Sequence, residues 1–176
     1  MQRSILTREL VIGMSIEINT ISTLKKELQN LPREVLIEHC LRMAKYKKDN
    51  KELLNYLLFE SDDEQNYIQQ IKREIDKEFT TINTTTFYYI KKSIRRIHRI
   101  ITKYIRHSGK KETEVELLIF FCQQMRFSGI SFKASKVMVN LYERQLKSIH
   151  KALSALHADI GIDYESELEE VDQPLP

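Results

Sequence analysis

The sequence predicts an all-α protein: a single domain of five to six helices, arranged as an antiparallel bundle or a short stack of α-α hairpins. Three observations predict it. Apolar residues recur at spacings of three and four along most of the chain, which is the repeat of a helix face. The chain holds only four glycines and three prolines, few for the turns of an all-β fold. At Asp49–Glu52, Ser61–Glu64 and Thr113–Glu116 a capping-type residue stands three positions before Glu, ahead of an apolar run, as in a capping box.

Residues 1–30 form an N-terminal arm, expected to be partly ordered. Leu10-Val11-Ile12 and Ile16-Glu17-Ile18 have strand-like composition around Gly13, but two strands alone are marginal in water. An arm docked on the helices, or a short helix from Ser22 to Gln29, fits better. Met14 offers a second start, which would make 1–13 an upstream extension.

The helical domain spans 31–158. Asn30 caps and Pro32 opens a helix to about residue 47, with Leu36, Cys40 and Met43 as its seam. The Asp49 box opens a short helix ending near Glu60. The Ser61 box opens another, through Tyr67, Ile68, Ile71 and Ile75. Threonines from Thr80 to Thr86 interrupt it, since they are stiff and bond the backbone locally, and Asn83 or Thr84 caps the next helix. This basic helix runs from Phe87 to near His107, with Gly109 placed to end it. Behind the Thr113 box comes Leu117 to Cys122, LLIFFC, apolar on every side and so the buried centre of the bundle. Ser128-Gly129 breaks that helix, and the last one runs from about Ser135 to His157. Residues 159–176 are an acidic C-terminal tail, expected to be mobile unless it docks.

A chain of 176 residues buries a core without metal or disulfide staples. Cys40 and Cys122 both lie in apolar helical patterns and read as buried, reduced thiols of a cytoplasmic protein. No apolar run approaches the roughly 18 residues that span a bilayer. No charged n-region followed by an apolar h-region opens the chain.

The basic helix organises the surface. Phe87, Ile90, Ile94, Ile97, Ile101 and Tyr104 form one seam, and Lys91, Lys92, Arg95, Arg96, Arg99, Lys103 and Arg106 fill an arc beside it. Lys91, Arg95 and Arg99 are like charges four residues apart, which weakens an isolated helix. The isoleucine seam against a core therefore has to hold it. Residues 79–111 carry nine Lys or Arg and no acid, whereas 159–176 carry seven Asp or Glu and no base, so the net charge of +3 hides two opposed blocks.

Motifs for chemistry are absent. No Asp or Glu stands three or four residues from His39, His98, His107, His150 or His157, which excludes Glu-x-x-His and His-Glu-x-x-His pairs. His39 and Cys40 are adjacent and diverge by about 100° on a helix. There is no Gly-rich phosphate loop, Gly-x-Ser-x-Gly or Cys-x-x-Cys. The sequence assigns no catalytic residue, cofactor or metal ligand.

The expected function is a non-enzymatic binding or scaffold protein. Its partner-binding residues are Tyr88, Lys91, Lys92, Arg95, Arg96, Arg99, Lys103 and Arg106, facing an acidic protein surface or the chain's own acidic tail. A homo-oligomer could pair the two blocks between copies. The alternative is RNA or DNA backbone binding, because the arc is one-sided, cationic and flanked by Tyr88 and Tyr89. A third class is an enzyme whose site forms across helices from residues such as His39, His98 or His150.

Overall fold

The computed structural model describes residues 17–176, and the expectations for residues 1–16, including the Leu10–Ile12 strand and the Met14 start, lie outside them. The protein is all-α, with no strand among the described residues. The elements are α1 (Ile21–Gln29), α2 (Arg33–Tyr46), α3 (Lys48–Asn55), a π-helical turn (Tyr56–Glu60), α4 (Glu64–Thr80), α5 (Phe87–Ser108), α6 (Lys111–Phe127), α7 (Lys136–Leu153), α8 (Ala158–Asp163) and α9 (Glu165–Val171).

The core follows the helical seams. Ile68, Ile71, Ile75 and Phe79 of α4 meet Ile90, Ile94, Ile97 and Ile101 of α5, and α6 packs against α4, α5, α7 and α9. In LLIFFC every residue but Phe120 is buried, so α6 is the central helix, as a helix apolar all round should be. Gly109 ends α5 in the left-handed region at φ 69°, where a side chain would be strained.

The N-terminal helices behave differently. Neither α1 nor α2 has a buried residue, and α2 packs on α3 rather than on the core. Cys40, expected inside, is exposed, while Cys122 is buried. The expected seam of α2 is largely open: Cys40 and Met43 are exposed and only Leu36 is partly buried. Asn30 also changes role. It closes α1, donating from its side chain to Lys26 O, and Pro32 takes the N-cap position of α2.

None of the three capping boxes forms. Lys47 and Lys110 occupy the N-cap positions of α3 and α6, and Asp63 caps α4 by accepting from the Asn66 N–H. The glutamates of the boxes reach across the fold instead. Glu52 accepts from Lys103, Glu116 accepts from Lys72 and Gln65, and Glu64 gathers Tyr56, Ser108, Thr113 and Lys110. Thr86, without a side-chain cap, precedes α5, and Asn83 closes a turn in the preceding loop by accepting from Thr85.

The acidic segment 159–176 docks. Val171 and Leu175 are buried, the Tyr142 hydroxyl donates to Val171 O, and Arg126 donates to the carbonyls of Gln173 and Pro174. Gln123 of α6 donates to Glu170, and His150 of α7 lies 3.0 Å from Asp172. The segment thus belongs to α6 and α7, and none of its described hydrogen bonds or ion pairs reaches a cation of α5.

Candidate functional site

The cationic arc of α5 divides into two edges. Along one edge Arg96 pairs with Glu78 of α4, and Lys103 lies 2.6 Å from Glu52 of α3 and 4.7 Å from the centre of the Tyr104 ring. The hydrogen bond from Lys103 is the main cause that holds the Glu52 carboxyl below its ordinary value. These two cations, grouped with the site on sequence, are engaged inside the molecule.

The other edge is open. Tyr88, Lys91, Lys92, Arg95 and Arg99 line one shallow depression of about 400 Å³. None of Lys91, Lys92, Arg95 and Arg99 has a carboxylate partner among the described residues. Tyr88 is 66% and Tyr89 45% exposed, and their rings lie 5.5 Å apart and steeply tilted, so both present ring surface beside the cations. Lys91 lies 5.7 Å from the centre of the Phe87 ring. Arg106 is exposed two turns beyond the depression and donates to Thr102 O.

Arg95 and Arg99 also form one wall of a larger trough of about 710 Å³ between α5 and α7. Both helices pack on α6, and the trough lies over that helix, with Leu118 and Glu114 contributing to its lining. The α7 wall brings Val137, Leu141, Arg144, Gln145 and Ser148. Glu114, the one carboxylate of the lining, pairs with Lys111 at 2.6 Å. At the centre His98 Nε2 lies 3.0 Å from Gln145 Oε1, a tie between the two walls. Burial lowers the His98 pKa, the Gln145 hydrogen bond opposes that, and the Arg144 charge adds to the lowering. The shared arginines make the depression and the trough one continuous cationic surface.

Sequence reasoning missed Arg144 and Gln145. Both lie on α7, whose own pattern shows only a mixed polar face. The signal is that α5 and α7 flank the apolar α6, which juxtaposes residues 45 to 50 positions apart.

A further depression of about 700 Å³ lies among α3, α4 and α5, lined by Tyr56, Tyr67 and Tyr104 with Glu52, Glu60 and Glu74. Its acids are matched internally: Gln70 donates to Glu60, Tyr104 to Glu74 and Lys103 to Glu52. The Tyr67 hydroxyl is buried there, without a hydrogen-bond partner among the described residues. The histidines weighed for an enzyme do not converge: His39 is exposed on α2, His98 sits in the trough and His150 faces Asp172. Among the described residues no group of His, Cys, Asp or Glu is placed to hold a metal ion, and no helix is long and apolar enough to cross a membrane.

Comparison with protein-family models, with curated proteins and with solved structures yields no match.

Proposed function

We propose that the protein is a non-enzymatic binding module that holds an extended polyanion on the open edge of α5. One observation carries the reading: among the described residues Lys91, Lys92, Arg95 and Arg99 stand together without carboxylate partners, while the acidic segment of the same chain is committed to α6 and α7. Like charges gathered on one face repel each other and destabilise the helix that bears them. An external anion relieves that repulsion. Intramolecular neutralisation by residues 159–176, one of the two partners expected from the charge blocks, is disfavoured because those residues are held by Tyr142, Arg126 and Gln123.

The test is retention on immobilised heparin across a salt gradient, for the wild type and for Arg95→Gln/Arg99→Gln. Glutamine keeps helix propensity and removes charge. The wild type is expected to elute well above the salt that releases the double variant. Co-elution of the two, with both folded by circular dichroism, would remove this face from the function.

A further inference from the structure

We infer that the polyanion is a single strand of nucleic acid, laid along the trough between α5 and α7 with its phosphates on Arg95, Arg99 and Arg144 and its bases against Tyr88 and the trough lining. The inference rests on the polyanion reading and narrows it.

The geometry favours a strand over a broad surface. The trough runs from Arg95 to Ile105 along α5, ten residues or about 15 Å at the helical rise. Arginines stand on both sides, two from α5 and Arg144 from α7, so a chain lying between them meets cations on either side. The guanidinium fork matches phosphate geometry and stays charged at any working pH. Tyr88 continues the line beyond Arg95, sharing its depression with Lys91 and Lys92.

Chemistry then separates the candidates. A duplex turns phosphates outward and hides its base faces, so it uses the arginines but leaves the exposed tyrosines and Val137 without a partner. An acidic peptide likewise matches the charge, but offers no flat π-surface to Tyr88 and Tyr89. An unpaired strand offers both a phosphate and a base face at every nucleotide, which suits cations interleaved with aromatic rings.

The experiment uses the full chain and fluorescence anisotropy at low salt. The probes are a 12-nucleotide single-stranded RNA, the DNA strand of the same sequence, the matching duplexes, and poly-L-glutamate of similar charge. Variants are Arg144→Gln, Tyr88→Ala and, as a control for net charge, Lys45→Gln on the exposed face of α2. Both single strands are expected to bind at least about tenfold more tightly than the duplexes or polyglutamate, the margin expected of base stacking. Tyr88→Ala should weaken the single strands about five- to a hundredfold and the duplexes far less. Arg144→Gln should weaken them several-fold while Lys45→Gln changes nothing. A preference between RNA and DNA identifies the sugar that the trough accepts and leaves the inference standing. Duplex or polyglutamate binding as tight as single-strand binding overturns the inference and leaves the polyanion reading intact. Unchanged affinity in Arg144→Gln overturns the placement in the trough. Failure of every probe to bind overturns both readings.

Discussion

His98 of α5 and Gln145 of α7 meet at 3.0 Å, side chain to side chain, across a trough whose two helices are otherwise joined mainly through α6. Gln145 is also anchored to its own helix by donating to Leu141 O. Gln145→Leu leaves the half-buried imidazole without its partner, and a loss of about 1–3 kcal/mol is expected in urea unfolding.

The same imidazole gives stability a pH dependence. Burial lowers the His98 pKa in the fold, so the unfolded chain binds a proton more readily. His107 is lowered for the same main reason. Stability from both is complete above the unfolded histidine value of about 6.5 and is lost as pH falls below it. Urea midpoints should drop between pH 7.5 and 5.5, and His98→Gln should make that drop smaller.

Glu64 provides a second, more acidic limb. Burial pushes its carboxyl up, but hydrogen bonds from Lys110, Ser108, Thr113 and Tyr56 together outweigh that and hold it at about 2. The side chain is only 14% exposed. A carboxyl depressed in the fold stabilises above its unfolded value and loses that contribution as pH falls towards the folded one. The loss is about 3 kcal/mol, spread between roughly pH 4.5 and 2. Glu64→Gln should be less stable at pH 7 and should show a flatter acid limb; an acid limb as steep as the wild type's would contradict the network.

The two cysteines should react very differently. Cys40 is exposed, and Cys122 is buried with its thiol pushed up by that burial, so its reactive thiolate is suppressed. A thiol reagent should label one cysteine rapidly in the native protein and the second only on unfolding. Mass mapping should place the fast site at Cys40.

Truncation after Ala158 should destabilise the fold. Val171 and Leu175 are buried in the wild type, and uncovering them together should cost at least about 3 kcal/mol. For a chain of this size that is a fall in Tm of roughly 6–12 °C. An unchanged Tm would show that the docked segment adds nothing to stability.

Helix positions and the central place of LLIFFC were legible because period and apolarity are local properties. The Gly109 stop was legible for the same reason. The capping boxes misled because a Ser/Thr-x-x-Glu pattern does not say whether the glutamate turns back to its own helix or out to a distant lysine. At Glu52, Glu64 and Glu116 the tertiary partner won. The docking of the C-terminal segment was hidden by charge: Tyr164, Leu168, Val171 and Leu175 recur at spacings of four, three and four and pack on the core, but the seven acids around them read as a solvated tail. Cys40 was misplaced because a helical seam shows that a face is apolar, not that a neighbour covers it. For the site, the sequence named the α5 arc. Which of its cations are engaged by Glu78 and Glu52, and which share a trough with Arg144, depends on neighbours that only the fold supplies.

The most direct test of the polyanion face is the salt dependence of single-strand affinity, measured from about 50 to 300 mM salt for the wild type and for Arg95→Gln/Arg99→Gln. Each phosphate contact releases counterions, so log affinity falls with log salt at about −0.7 per contact on a single strand. With three to five contacts the wild-type slope should lie between about −2 and −3.5, and the double variant should be shallower by about 1.4. A wild-type slope near zero, or a slope that the double variant leaves unchanged, would contradict the account.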